Sequence, residues 1–211
     1  HSLNICGATR LVVGAECLDR LVDVLPNLER IRPQNVLLDT RWPATVPVPG
    51  GLQDLNGMLT GASEANPPPV DVRSSDLLMF IYTSGTTGLP KAARITHLRW
   101  FTGAMALGYY SWQVTSKDTI YCALPLYHSN GAILAFGAAL YTGAKLGISR
   151  RFRATKFWEE VVQFKASCFI YIGEVLRYLV NTPPGPHDRA HKVERILGNG
   201  LRPDIWKLFQ E

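Results

Sequence analysis

The first 40 residues alternate between strand-like and helix-like patterns. Leu11–Val13 and Asn35–Asp39 are short and mostly apolar, which is typical of buried strands. Between them, Glu16–Leu25 places apolar side chains at positions 18, 21, 22 and 25, which is helical spacing. We therefore predict a partial α/β subdomain over residues 1–40.

Residues 41–75 have no such periodicity. Proline and glycine are concentrated at 43–51, and three consecutive prolines occupy 67–69. A short helix near Leu52–Leu59 fits the pattern, and the rest is predicted to be a linker.

From residue 76 onward, predicted strands and helices alternate. This order is typical of a doubly wound α/β fold, a mainly parallel sheet with flanking helices, over residues 76–211. Ligands of such sheets bind beyond the carboxyl ends of the strands, so the loops after Leu124, Ile172 and Leu197 should share one rim. The predicted strands are Leu77–Tyr82, Ala92–Thr96, Thr119–Leu124, Lys145–Ser149, Cys168–Ile172 and Arg195–Leu197; the helices are His97–Ser111, Ser129–Thr142, Thr155–Lys165, Glu174–Asn181 and Pro203–Gln210.

Composition narrows the function classes. The chain is 46% hydrophobic with a net charge of +5, but its basic residues are dispersed and form no nucleic-acid-binding module. The longest apolar run, Gly131–Ala144, is shorter than the roughly 20 residues of a membrane-spanning helix and is predicted to pack tightly on the sheet. We expect no signal peptide, since the sequence contains no pattern of that kind. Cys122 and Cys168 lie in apolar runs, which indicates buried free thiols and a reducing compartment.

The stretch between the first two strands of residues 76–211 is rich in glycine and hydroxyl side chains. Its glycines permit close backbone approach, its amides can form an anion-binding concavity, and Lys91 adds a charge suited to polyphosphate. Pro90 before the lysine excludes a Walker loop, and a plain surface turn would be shorter. The predicted phosphate-binding residues are Tyr82, Thr83, Ser84, Gly85, Thr86, Thr87, Gly88, Leu89, Pro90 and Lys91.

Two rim loops carry candidate chemistry. Tyr127 and His128 follow Leu124, where His128 can orient a carboxylate; the alternative is a helix cap formed by Ser129 or Asn130. The run 198–200, Gly-Asn-Gly, allows flat approach to a planar group such as adenine, although spacing alone favours a strand-to-helix turn. Other aromatic and histidine residues have simpler interpretations: Phe157, Trp158 and Trp206 as core, and His187 and His191 as solvated residues.

These stretches together resemble the adenylate-forming enzymes, a superfamily of acyl-CoA synthetases, luciferases and peptide-synthetase adenylation domains. Tyr82–Lys91 matches the phosphate-loop signature of that superfamily at nearly every position. Residues 125–131, 157–158, 171–179 and 198–206 resemble the fatty acid transport protein and very-long-chain acyl-CoA synthetase family more specifically, as does Ala92-Ala93 after the loop.

The resemblance implies a reaction and a role for each stretch. Members make an acyl-adenylate from a fatty acid and Mg²⁺-ATP and then transfer the acyl group to CoA. Lys91 and His128 are the implied catalytic residues, and the phosphate loop would hold the β- and γ-phosphates. The implied adenine site is Gly198, Asn199 and Gly200; the implied acyl site is Tyr127, His128, Tyr171, Ile172, Gly173 and Glu174.

The resemblance leaves other points as expectations. The superfamily's aromatic-Gly-x-Thr-Glu motif does not occur here, so we expect these 211 residues alone to be inactive, and we predict no protein metal ligands in them. The resemblance implies an intracellular, membrane-associated protein, located at the endoplasmic reticulum, peroxisome, lipid droplet or plasma membrane. Segments outside this sequence would make the membrane contact. The alternative function is membrane-associated fatty acid transport or binding with secondary nucleotide chemistry.

One basic cluster stays open between two interpretations. Arg150, Arg151 and Arg153 follow the predicted strand that ends at Ser149. Such a cluster forms either a solvated loop or a contact with anionic lipid or with a phosphate of CoA.

Overall fold

A computed structural model of the protein describes residues 1–83 and 88–210. The chain divides into two compact units, one formed by residues 1–71 and 83–92 and the other by residues 72–82 and 93–211. The boundaries predicted from the sequence, at 40/41 and 75/76, stay a prediction.

The first unit contains a three-stranded parallel sheet in the order β1-β2-β3. Its strands are β1 (Leu11–Gly14), β2 (Val36–Asp39) and β3 (Gln53–Asp54), and its helices are α1 (Ser2–Ile5), α2 (Leu18–Val24) and α3 (Leu55–Thr60). The apolar face of the helix predicted over Glu16–Leu25 is partly buried: Leu18 and Leu21 pack with Val36 and Leu38 of β2, and Leu25 lies against the same cluster. Val22, the fourth predicted position, is exposed instead. The described residues between Thr60 and Leu77 contain no helix or strand.

Two strands flank the predicted phosphate loop. They are β4 (Leu77–Thr83) and β5 (Lys91–Thr96), and they form a two-stranded sheet. Ser84, Gly85, Thr86 and Thr87, four of the predicted phosphate-binding residues, lie outside the described residues.

The second unit is organised around a four-stranded parallel sheet in the order β7-β6-β8-β9. The α/β class and the alternation of strands and helices are confirmed, although the strands fall into three sheets. The strands of this four-stranded sheet are β6 (Thr119–Cys122), β7 (Lys145–Ile148), β8 (Cys168–Ile172) and β9 (Arg195–Asn199). The helices of the second unit are α4 (His97–Gly103), α5 (Phe136–Thr142), α6 (Phe157–Gln163), α7 (Gly173–Val180) and α8 (Pro203–Gln210).

Two of the predicted helices contain wide π-helical turns. Helix α4 continues as a π-helix through Ala104–Ser111, and α5 is preceded by a π-helix over Asn130–Ala135. Small residues allow the two segments to touch: a Cβ on Gly108 would lie 2.4 Å from the Cβ of Ala138. Ala135, Ala138 and Ala139 also share the buried core with the β6 residues Ile120 and Cys122, so the packing on the sheet predicted for the run 131–144 is confirmed.

Aromatic side chains fill the core on this sheet. Phe157 lies edge-to-face with Tyr121 at 5.0 Å and with Phe169 at 5.1 Å between ring centroids, and all three are buried. Edge-to-face pairs add to the free energy gained from burial alone. Phe157 and the partly buried Trp158 are thus confirmed as core residues.

Two sequence interpretations are wrong. Trp206 is 36% exposed on α8, because that helix turns Ile205 rather than Trp206 into the core. His191 is not simply solvated, since its ring stacks on Trp158 at 4.4 Å and burial lowers its pKa. His187 is half-buried.

The four cysteines are free, as predicted. Cys122 and Cys168 are buried in neighbouring strands, and burial raises the pKa of Cys168 to about 12. Cys6 is half-buried and Cys17 is exposed.

A charged network ties together the amino ends of β6, β8 and β9. Asp118, which is 6% exposed, accepts hydrogen bonds from Ser167 Oγ at 2.7 Å and from Thr115, and it pairs with Arg195 at 2.5 Å. Burial alone would raise the pKa of Asp118, but the hydrogen bonds from Ser167 and Thr115 and the charge of Arg195 lower it. The native state is therefore stabilised by the ionised carboxylate.

We expect Asp118→Ala to lower the free energy of unfolding by about 3 kcal/mol, because it leaves Arg195 without its buried partner. Asp204→Ala is the matched control: its ion pair with Arg202 is exposed, so its loss should cost under about 1 kcal/mol. Urea unfolding at neutral pH checks both, and equal losses would contradict the network's importance. The contribution of Asp118 to the free energy of unfolding is complete above the pKa of the unfolded state, about 3.9, and is lost as the pH falls through the lower pKa of the folded state. The stability of Asp118→Ala should therefore change less with pH in acid than that of the wild type.

Candidate functional site

The carboxyl ends of β6, β8 and β9 lie side by side, as the sequence predicts. In the parallel register, Tyr121 pairs with Phe169, and Ile172 pairs with Asn199. The rim, defined here as residues 123–131, 171–174 and 198–202, therefore brings three predicted site segments together within the second unit.

Backbone at the rim approaches so closely that only glycine fits. A Cβ on Gly173 would lie 1.8 Å from the carbonyl oxygen of Gly200, and a Cβ on Gly198 would lie 2.3 Å from the carbonyl oxygen of Tyr171. Gly200 also has φ +71°, a conformation that glycine adopts without strain. Gly198 and Asn199 are the last two residues of β9, which extends beyond the predicted end at Leu197, and the turn toward α8 begins at Gly200. The adenine site at Gly198, Asn199 and Gly200 stays a prediction.

Asn130 connects these rim segments, and sequence reasoning did not assign it this position. Its side chain is 8% exposed, and its Nδ2 donates to the carbonyl oxygen of Tyr171 at 3.4 Å and to Oδ1 of Asn199 at 3.5 Å. The available signal was an asparagine beside a glycine that cannot carry a side chain: a Cβ on Gly131 would lie 2.3 Å from the Pro125 oxygen.

Tyr127 and His128 stand exposed at the end of β6. Their rings are 4.6 Å apart, and Tyr127 is 70% exposed. Ser129 makes no side-chain capping bond to the following helix, and Asn130 points its amide across the rim. Neither Ser129 nor Asn130 therefore caps the following helix with its side chain. His128 lies exposed at the rim, where it can contact a ligand.

A cavity of about 570 Å³ opens beside the rim, between the carboxyl ends of β6, β7 and β8. This volume lies within the range of small-molecule sites. Three predicted acyl-site residues line it: Tyr127, Ile172 and Glu174. The other lining residues are Ala123, Leu124, Pro125, Leu126, Ile148, Ser149, Arg150, Arg151, Phe152, Val175 and Tyr178.

Three further predicted acyl-site residues lie at the rim but outside this lining: His128, Tyr171 and Gly173. Tyr171 is buried instead against Gly198, where burial raises its pKa. Glu174 at the cavity is bound by Arg177 at 2.6 Å, and this hydrogen-bonded pair lowers the pKa of Glu174. The Glu174 carboxylate is therefore ionised but already paired.

The described residues of the predicted phosphate loop belong to the first unit, except Tyr82, which belongs to the second. Gly88 has φ +150°, which L-residues rarely adopt, and Leu89 is 65% exposed. Lys91 opens β5 with an exposed side chain, and within residues 1–83 and 88–210 it has no ion-pair partner. Thr83 is exposed at the end of β4, and Pro90 is half-buried.

The described residues contain no group of three or more His, Cys, Asp or Glu side chains placed to hold a metal ion. Across the same residues, no helix is both long and apolar enough to cross a bilayer.

Comparison with known proteins identifies the family. The model of the AMP-binding enzyme family matches residues 1–211. The chain belongs to the AMP-binding enzyme family. Human long-chain fatty acid transport protein 3 is 40% identical over 99% of the chain, and the medium/long-chain-fatty-acid–CoA ligase FadD6 of Mycobacterium tuberculosis is 43% identical over 75% of it. The chain spans 30% and 27% of the lengths of these two relatives.

Solved structures show the same fold. The anthranilate CoA ligase AuaEII, in complex with anthranoyl-AMP, superposes with a TM-score of 0.85 over 99% of this chain and 40% of its own, at 17% identity. A benzoate CoA ligase from Burkholderia xenovorans LB400 gives a TM-score of 0.79 at 14% identity. This AMP-binding family member therefore has the α/β fold of adenylate-forming enzymes.

We expect Gly173→Ala to lower the free energy of unfolding by about 2 kcal/mol, because the added methyl group must displace the backbone of Gly200. Gly61→Ala is the matched control: a Cβ there meets no atom within 4 Å, so its effect should stay within about 0.5 kcal/mol. Thermal and urea unfolding measure both. A Gly173→Ala variant as stable as the control would contradict the close approach.

Asn130→Ala should cost about 1–2 kcal/mol of unfolding free energy, because the buried carbonyl of Tyr171 loses a donor. Asn181 provides the control, since its amide donates to the Arg177 carbonyl at 2.8 Å in an exposed position. Asn181→Ala should therefore have a smaller effect in the same urea titration. The reverse order of effects would show that Asn130 does not hold the rim.

Proposed function

We propose that the protein containing this chain is an ATP-dependent long-chain or very-long-chain fatty acid–CoA ligase. The observation that carries the proposal is the rim: the 127–128, 171–174 and 198–200 segments converge there beside a mainly apolar cavity, in a member of the AMP-binding family. The names of its relatives, fatty-acid–CoA ligase and long-chain fatty acid transport protein, support this substrate class.

The chemistry follows from the poor reactivity of a carboxylate. One carboxylate oxygen attacks the α-phosphate of ATP, and the bond to pyrophosphate breaks; the CoA thiol then attacks the acyl carbonyl and AMP leaves. The protein contributes mainly positioning and charge neutralisation. Mg²⁺ would be bound together with ATP and would neutralise charge on its phosphates.

We assign roles to the predicted residues as part of this proposal. Residues 82–91 bind the β- and γ-phosphates, with the exposed ammonium of Lys91 neutralising the departing pyrophosphate. His128 orients the fatty carboxylate. Gly198, Asn199 and Gly200 support the adenine, and Ile172 and Glu174 line the acyl site.

Membrane association belongs to the same proposal. The transport-protein relatives suggest that the parent protein works at an intracellular membrane, where its fatty acid substrate partitions. A cell then takes up fatty acid because the enzyme converts it to a CoA ester, which cannot leave through the membrane. Uptake of this kind requires no pore.

In the full-length protein, Lys91→Ala should reduce fatty-acid-dependent exchange of pyrophosphate into ATP about a hundredfold, because a charge aimed at the phosphates is lost. Lys91→Arg should retain part of the activity, since it keeps the charge. Lys145→Ala is the matched control, because Lys145 is also exposed and also opens a strand.

Three outcomes would count against parts of the proposal. Exchange that is equal in the wild type and in Lys91→Ala would remove the assigned role of the lysine. Absence of exchange with every long-chain fatty acid in the wild type would overturn ligase activity itself. Fatty acid uptake by cells that survives Lys91→Ala would favour transport as the primary function.

A further inference from the structure

The loop after β7 contributes a continuous part of the lining of the cavity beside the rim. Residues 148–152 all line this cavity, and we call residues 149–153 the wall loop. The Ser149 amide donates to the carbonyl of Cys122 at 2.9 Å, which attaches the start of the wall loop to the end of β6. The shape of the cavity on this side therefore depends on what holds the rest of the loop.

A second attachment of the wall loop is the carboxylate of Glu160 on α6. Arg153 donates to Glu160 Oε1 at 3.1 Å, and the Tyr121 hydroxyl donates to Oε2 at 2.7 Å. One carboxylate thus connects α6, the wall loop and β6. Tyr121, Arg153 and Glu160 are not among the described residues that line the cavity, so any effect they have on a ligand there passes through the residues they hold.

Glu160 is ionised in this setting. Burial raises its pKa, but hydrogen bonds from Ser149, Tyr121 and Arg153 and the charge of Arg153 lower it, and the net shift is downward. Burial and the contact with Glu160 raise the pKa of Tyr121, so the phenol keeps the proton that it donates. The Glu160 side chain is only 16% exposed, and each donor that moved away would leave its charge less well solvated. The carboxylate therefore fixes the positions of its donors.

The wall loop in turn positions an aromatic side chain at the cavity. Phe152 lies between Ser149 and Arg153, the two loop residues that contact Glu160. Its ring lies 6.1 Å from the rings of both Phe157 and Tyr178, and Tyr178 also lines the cavity. Release of the loop from α6 would therefore separate Phe152 from Tyr178 and remove apolar surface from the cavity.

We propose that Glu160 is a positioning residue of the acyl site. Its carboxylate holds the wall loop against α6, so that Phe152 and its neighbours stay in contact with the hydrocarbon chain of a bound fatty acid. Glu160 thus contributes to the affinity for the acyl chain without touching it. That the occupant is a fatty acid rests on the proposed function.

The experiment uses the full-length protein and the variants Glu160→Ala, Glu160→Gln and Arg153→Ala. Glu159→Gln is the matched control, because Glu159 is the neighbouring residue on α6 and its ion pair with Lys156, at 2.7 Å, is exposed. Exchange of pyrophosphate into ATP gives kcat and KM for octanoate, palmitate and lignocerate, and KM for ATP. Palmitate binding is measured separately by calorimetry, and circular dichroism checks that each variant is folded.

Glu160→Ala should raise the KM for palmitate about tenfold, as the loss of a few methylene contacts does. The increase should be larger for lignocerate and smaller for octanoate, because a longer chain lies against more of the cavity wall. The kcat of exchange and the KM for ATP should stay within about twofold of the wild type. Glu160→Gln should have a smaller effect, since its amide oxygen still accepts from Tyr121, and Arg153→Ala should raise the KM for palmitate although Arg153 does not line the cavity.

This pattern separates positioning from a loss of stability. A variant that is merely less stable has fewer active molecules, which lowers the apparent kcat for every acid and leaves each KM unchanged. Such a result would overturn the proposal, as would an equal rise in KM for octanoate and lignocerate or the same changes in Glu159→Gln.

Failure of this inference can be told apart from failure of the proposed function. Normal exchange in the wild type with unchanged KM values in Glu160→Ala would reject the role of Glu160 and leave ligase activity intact. Absence of exchange in the wild type would overturn ligase activity, but palmitate binding requires no reaction. Equal palmitate affinity in the wild type and Glu160→Ala, or no palmitate binding at all, would then reject the role of Glu160 as well.

Discussion

The contact on which the rim depends is backbone against backbone, where the start of α7 meets the turn after β9. Gly173 presents no side chain, so the carbonyl oxygen of Gly200 lies in the space that a Cβ on Gly173 would occupy. This contact fixes how far apart the ends of β8 and β9 can be. The Asn130 amide then ties the start of the π-helix 130–135 to the ends of both strands, which anchors the loop that carries Tyr127 and His128.

The two ends of the same sheet are held by different physics. At the amino ends, ionised Asp118 and Arg195 share a network with Ser167, which is strong but depends on charge. At the carboxyl ends, the close contacts of Gly173 and Gly198 and the neutral amide of Asn130 hold the strands together. Because the contacts that hold this end are neutral, the electrostatic field at the rim is set by ligands and by the charged side chains of the rim and its surroundings, such as Glu174, Arg202 and Arg151.

Much of the fold could be predicted because the periodicity is regular. The limits of β8 and α8 agree with the apolar pattern residue for residue, and most other elements agree within a few positions. The π-helical turns in residues 104–111 and 130–135 could not be predicted, since small apolar residues satisfy either helical spacing. Trp206 was misplaced because helical spacing does not say which of two neighbouring apolar residues, Ile205 or Trp206, faces the core.

The candidate site was less predictable than the fold. Motif resemblance led to Tyr127, Ile172 and Glu174, but sequence could not show that Tyr171 turns away to cover Gly198. Nor could it separate Arg153, which is paired with Glu160, from Arg151, which is not. Both distinctions depend on contacts between residues distant in sequence, and no local pattern records them.

The buried thiols of β6 and β8 have a consequence for oxidation chemistry. Only the thiolate reacts readily with electrophiles and peroxides, and burial raises the pKa of both Cys122 and Cys168 so that neither ionises near neutral pH. Cys17, in the first unit, is exposed to solvent and to oxidants. Oxidative damage to this chain would therefore begin in the first unit, while the sheet that supports the rim keeps its reduced cysteines.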